Sequence, residues 1–113
     1  MQTDEQKYNL LITGDSKARK RQYWVYILTN IHKSVLYIGV TNNLNRRMHE
    51  HKSGVGSLFT KKYHVNMLVN CESTDDVFTA LRREKQLKAG SRRDKSSIIN
   101  NVNPKWEDLS KSD

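Results

Sequence analysis

The sequence is short of cysteine, glycine, acidic residues and long apolar runs, and each shortage removes a class of proteins. Its one cysteine, Cys71, excludes an internal disulfide and a cysteine-rich zinc site, and it suits a reducing intracellular compartment. The five glycines include no phosphate-cradling run, and the chain has neither a Ser-His-Asp pattern nor a C-x-x-C pair. No apolar stretch approaches the length of a membrane span, and the first residues lack the hydrophobic segment and cleavage site of a secretory signal. The expectation is a soluble, cytoplasmic protein without a membrane partner. Acidic residues number only 12 against 20 Lys and Arg, a net charge of +8. With an isoelectric point near 9.7, that balance suits a polyanion, nucleic acid foremost. A solvated basic surface with no partner is the alternative.

The 113 residues are enough for one small domain with a modest core. Residues 1–22 read as a mobile leader, with an apolar patch at Leu10–Ile12 and a basic cluster of Lys17, Arg19, Lys20 and Arg21. A domain follows over 23–109, and 110–113 form a polar tail. Tyr23–Leu28 and Val35–Val40 are aromatic and β-branched and flank a polar connection of about six residues, which predicts an antiparallel hairpin. Tyr23, Val25 and Ile27 point one way and Trp24, Tyr26 and Leu28 the other. A strand apolar on both faces implies helices packed on the sheet. Thr41, Asn42 and Asn43 offer N-caps for a helix that carries Leu44, Arg47, Met48 and His51 and stops by Ser53-Gly54. The basic, aromatic stretch Thr60–Tyr63 then leads into a third strand at Asn66–Cys71. Ser73 or Thr74 would cap a second helix, with Asp75 and Asp76 in its first turn, ending at Ala89-Gly90. A shorter helix covers Arg92–Asn101, and Trp106 and Leu109 pack back as a terminal clasp after Pro104.

Glu84 stands out on physical grounds. The buried stripe of the second helix is Val77, Ala80, Leu81, position 84 and Leu87, and a carboxylate in such a stripe must be paired, metal-bound or protonated. A salt bridge to a nearby arginine is one reading. The other is a ligand for Mg2+, which accepts a single protein carboxylate when water and phosphate oxygens complete its shell. Tyr26 and Tyr37 are core aromatics or site residues, and Arg47 is a surface residue or a phosphate clamp one turn from His51. Zinc on His49, His51 and Cys71 is disfavoured, because an i, i+2 pair points to different sides of a helix.

Trp24-Val25-Tyr26, then Tyr37-Ile38-Gly39 followed by Thr41, Leu44 and Arg47, resembles the signature of the GIY-YIG endonuclease superfamily. The likeness continues through Phe59-Thr60-Lys61-Lys62-Tyr63, Ala80–Leu87 and Asn103-Pro104-Lys105-Trp106, and is strongest to the small, excinuclease-subunit-C-like bacterial members. It implies an α+β fold, a three-stranded antiparallel sheet flanked by helices, and an endonuclease or nickase that cuts DNA with Mg2+ or Mn2+. Low sequence specificity and a setting in repair or recombination would go with it. The resemblance assigns Tyr26 and Tyr37 to the two motif tyrosines, Arg47 to the helix arginine, His51 to a histidine-or-tyrosine position and Glu84 to the metal. For the site asparagine Asn103 is the leading candidate, beside Asn42 and Asn101. Trp24 replaces the name-giving glycine, and Val40 stands where some relatives carry lysine. Lys61, Lys62, Lys85, Lys88, Arg92, Arg93 and Lys95 are the expected phosphate contacts. The competing readings are a catalytically weak nucleic-acid-binding module and a nuclease subunit that needs a protein partner.

Overall fold

The computed structural model describes residues 21–111. The leader expected over 1–22, with its apolar patch and most of its basic cluster, therefore lies almost wholly outside the described residues, as do the last two residues of the tail. The centre of the fold is strand β1 (Tyr23–Thr29), flanked on either side by β2 (Leu36–Thr41) and β3 (Met67–Thr74) in a three-stranded antiparallel sheet ordered β2-β1-β3. Residues run in register from Trp24 opposite Thr41 to Thr29 opposite Leu36 on one side, and from Tyr23 opposite Thr74 to Thr29 opposite Met67 on the other. A bulge interrupts the second pairing between Ile27 and Leu28.

The alternation read from β1 divides the core. Tyr23, Val25 and Ile27 join Ile38 and Val69 on one face, while Tyr26 and Leu28 join Met48, Val65 and Leu68 on the other. Ile27 and Leu28 are fully buried, and each such side chain contributes about 1.5–3 kcal/mol by leaving water. The hairpin loop over 30–35 is organised by Asn30. Its Oδ1 accepts from the amides of Ser34 (2.9 Å) and Val35 (3.3 Å), and its Nδ2 donates to Ser34 Oγ at 2.8 Å.

Helix α1 (Leu44–Lys52) covers the second face through Met48 and His51. Of its candidate caps, Asn43 serves, accepting from the Arg46 amide at 3.0 Å, and Thr41 shapes the entry by accepting from the Asn43 amide at 3.1 Å. The stretch expected as a basic connection contains a further helix, α2 (Leu58–Tyr63), capped by Ser57 and closed by His64 in the left-handed region. Ser73 and Thr74, expected as caps, instead lie in β3 opposite Trp24 and Tyr23, because the strand runs longer than the sequence reading allowed. The cap of α3 (Val77–Ala89) is Asp76, whose carboxylate accepts from the amides of Phe78 and Thr79. The buried residues of α3 are Val77, Ala80, Leu81, Glu84 and Leu87, the stripe drawn from its period, and the helix lies against all three strands. Helix α4 (Arg92–Val102) begins with a capping box between Ser91 and Asp94 and buries Ile99.

The C-terminal segment acts as a clasp on β3, though by polar groups as well as by Trp106. Asp108 Oδ1 accepts from the Leu68 amide at 3.1 Å, its Oδ2 pairs with Lys52 Nζ at 2.7 Å, and the Leu109 amide donates to Leu68 O at 2.7 Å. Burial disfavours the Asp108 carboxylate, yet the donors from Lys52, Ser110 and Leu68 prevail and hold it below its ordinary range.

Candidate active site

The site is built around one phenol. Tyr26 lies at the middle of β1, only 1% exposed, and β1 pairing places it opposite Gly39 of β2. Its ring lies directly over that glycine: a Cβ there would stand 2.4 Å from both Cζ and Oη of Tyr26. Gly39 is thus required for space, since its backbone is ordinary extended strand. Helix α1 brings two partners to the phenol. Arg47 Nε donates to Tyr26 Oη at 3.3 Å, and His51 Nε2 lies 3.2 Å from the same oxygen. The one-turn spacing of Arg47 and His51 is what aims both at Tyr26.

Each ring nitrogen of His51 has a hydroxyl partner. Thr60 Oγ1, 3.1 Å from His51 Nδ1, donates its one proton to the Ser57 carbonyl at 3.1 Å and accepts from Ser57 Oγ at 3.1 Å. With the Thr60 proton on the Ser57 carbonyl, His51 donates from Nδ1 and its Nε2 accepts from the Tyr26 hydroxyl. Gly56 closes around the ring, for a Cβ there would meet His51 Nδ1 at 2.5 Å. Burial, and next the positive charge of Arg47, lower the imidazole to a pKa of about 4, so it is neutral at neutral pH. Burial, followed by the Tyr37 and Glu84 charges, holds the Tyr26 phenol above its ordinary range despite the opposing Arg47.

Tyr37 on β2 completes an aromatic cluster, with ring centroids 6.4 Å from Tyr26 and 5.7 Å from His51. Glu84 is 3% exposed on α3, and its charge adds, behind burial and Tyr37, to the upward push on the Tyr26 phenol. Lys88 Nζ lies 3.3 Å from Glu84 Oε2. Of the two readings of Glu84, the ion pair is present, with Lys88 in the place expected for an arginine.

The catalytic-domain model of the GIY-YIG family matches residues 22–97 of this chain. A UPF0213 protein of Syntrophus aciditrophicus is 40% identical over 77 residues, spanning 67% of this chain and 87% of that protein. The chain belongs to the GIY-YIG family. This is a nuclease family. Similarity extends to a UPF0213 protein of Limosilactobacillus reuteri, 34% identical over 80 residues, 69% of this chain and 82% of that one. A solution NMR structure of a UPF0213 protein from Bacillus halodurans shares the fold with a TM-score of 0.51 at 30% identity, covering 80% of this chain and 99% of that chain.

In this GIY-YIG domain, Tyr26, Tyr37, Arg47 and His51 come together directly, whereas Glu84 is buried in the stripe of α3 whose apolar members pack with Tyr23, Val25 and Ile27, the sheet face opposite Tyr26. Asn103 does not join them. Its Nδ2 donates to Val69 O (3.1 Å) and Glu107 O (2.8 Å), and its Oδ1 accepts from the Glu107 amide at 3.0 Å, so the whole amide ties the C-terminal segment to β3. Lys61, Lys62, Lys85 and Arg93 are exposed and Lys95 is half-buried. Two of the expected phosphate contacts have other work: Lys88 pairs with Glu84, and Arg92 donates to the carbonyls of Lys33 (2.6 Å) and Ser34 (3.3 Å) and covers the Trp106 ring. Thr60, Gly39 and Gly56 were not singled out by sequence reasoning as supports of the site. Glycine two residues after a motif tyrosine was the available signal for Gly39, and nothing local marked Thr60 as a partner of His51.

Among the described residues no helix is long and apolar enough to cross a membrane, and no group of three or more His, Cys, Asp and Glu could hold a metal. A cation at Glu84 would therefore take most of its ligands from water and phosphate, which suits Mg2+ or Mn2+ and not a caged ion.

Proposed function

We propose that the chain is a divalent-metal-dependent DNA endonuclease or nickase of low sequence specificity, acting on intracellular DNA in repair or recombination. The observation that carries this reading is the Tyr26 hydroxyl held between Arg47 and His51. Glu84 would hold Mg2+ or Mn2+, which when bound supplies charge stabilisation at the scissile phosphate and the leaving 3′ oxygen. Lys88, half-exposed on a flexible stem, would swing away from the carboxylate.

The remaining chemistry belongs to the side chains. A phenol held above its ordinary range cannot wait as phenolate, so it takes the water's proton only by giving up its own. Tyr26 passes that proton to His51 Nε2, whose lone pair Thr60 has oriented. Arg47 contributes charge at the phosphate, and a phosphate anion paired with it offsets the repulsion that lowers the His51 imidazole at rest. The relay therefore strengthens when substrate is present. Tyr37 borders both ends of it and orients water or phosphate. Lys61, Lys62, Lys85, Arg93 and Lys95 supply phosphate contacts, and binding should weaken steeply with salt.

The test is nicking of supercoiled plasmid with Mg2+ or Mn2+. Wild type should nick, EDTA should stop it, and Glu84→Ala and Arg47→Ala should each lose at least about 100-fold. DNA binding without any nicking would favour the binding-module reading, and nicking that both variants retain would overturn the site assignment.

A further inference from the structure

The aromatic cluster does not end at Tyr37. Phe59 stacks on Tyr37 at 6.1 Å and 27°, and Tyr63, one helical turn further along α2, lies 4.9 Å from Phe59. The rings run without interruption from Tyr26, which is 1% exposed, to Phe59 and Tyr63, each 42% exposed. Open rings on a helix of six residues are costly to display, and a packing role would be served by enclosing them. The same helix carries Lys61 and Lys62, and Lys62 Nζ lies 5.3 Å from the centroid of the Tyr63 ring.

We propose that Phe59 and Tyr63 form a stacking platform for an unpaired nucleobase adjoining the phosphate at Arg47, so that the preferred substrate carries unpaired nucleotides at the cut. The inference deepens the nuclease reading and rests on it for the position of the phosphate. Every base offers a flat face to such a platform, whereas a base within a duplex is already covered above and below. Aromatic faces interleaved with lysines complement a single strand, whose bases and phosphates alternate. The platform begins at the ring that borders the relay, so the stacked base belongs to a nucleotide beside the scissile bond. It selects for exposed bases without reading their sequence.

The test measures binding in EDTA, where hydrolysis is not required, by fluorescence anisotropy of a labelled single strand and of the blunt duplex of the same sequence. Wild type should prefer the single strand. Phe59→Ala and Tyr63→Ala should weaken single-strand binding by about 5- to 150-fold while duplex binding changes little. Phe59→Leu and Tyr63→Leu keep apolar bulk on α2 and should show the same selective loss, while Tyr63→Phe should bind as wild type. A single strand with abasic positions should bind wild type more weakly and lose nothing further with Tyr63→Leu. Equal losses on both DNAs, unchanged binding by the leucine variants, or rings that drive self-association in sedimentation would each overturn the proposal. Selective binding in a chain that fails to nick plasmid would remove the nuclease reading and leave the platform standing. Nicking without strand selectivity would remove only the platform.

Discussion

Gly39→Ala separates two explanations for a glycine in the interior of a strand, and they differ in sign. At an ordinary strand position alanine is better than glycine by about 0.5–1 kcal/mol, because it has less backbone freedom to lose. At Gly39 the added methyl would stand 2.4 Å from Cζ and Oη of Tyr26, about 1 Å inside the 3.4 Å at which ordinary contact begins. The ring has nowhere to retreat, being 1% exposed and bonded at its hydroxyl to Arg47 and His51. Overpacking of this kind costs about 1–3 kcal/mol, which set against the alanine advantage leaves a net loss of about 0–2.5 kcal/mol. In urea denaturation followed by tryptophan fluorescence, the variant should unfold at lower denaturant with an unchanged slope. Plasmid nicking should fall by about 100-fold, since a phenol displaced by about 1 Å no longer meets its partners. Gly54→Ala is the control. No atom lies within 4 Å of its Cβ, and its φ of +81° makes it lose stability through backbone strain alone, with nicking intact. A Gly39→Ala protein that gains stability and nicks normally would refute the close-approach account of the site.

The other predictions concern the relay and the clasp. Thr60→Val should strand the Nδ1 proton of His51 at a cost of about 1–3 kcal/mol, and should lower kcat by up to about 100-fold with KM nearly unchanged. Because the native imidazole titrates near 4 and the unfolded one near 6.5, the unfolded state binds the extra proton between them. Stability should therefore fall as pH drops from about 6.5 towards 4, by up to about 3 kcal/mol. His51→Gln should flatten that part of the profile in urea titrations at successive pH values. Asp108→Ala frees the Leu68 amide and the Lys52 ammonium together and should destabilise by about 1–3 kcal/mol in the same assay without changing nicking per folded molecule.

Features carried by a long period were legible in the sequence. The two faces of Tyr23–Thr29 and the stripe containing Glu84 each repeat often enough to fix which side is buried, and the Arg47–His51 spacing fixed a shared direction. The family resemblance implied that these separate faces serve one site. Helix α2 was not legible, because six residues hold fewer than two helical turns and its cap, Ser57, is hidden among glycines and other polar residues. Ser73 and Thr74 looked like caps because several capping residues stand in a row there, and only strand pairing with Trp24 and Tyr23 assigns them to β3. Asn103 and Arg92 show the limit of residue type as a guide. Both carry groups suited to a DNA site, and both spend them on backbone carbonyls brought near by the fold. The needs of Tyr26 for Gly39 and of His51 for Thr60 are likewise contacts between distant segments, which no local pattern records.

The central claim is that Tyr26 and Glu84, from different elements, serve one reaction. Single-turnover nicking by Tyr26→Phe, Glu84→Gln and the double variant, each checked for wild-type-like unfolding, tests it most directly. Residues that act as a unit lose activity together, so the double variant should be about as slow as the slower single one. Losses that multiply, or nicking that survives Glu84→Gln, would contradict the claim.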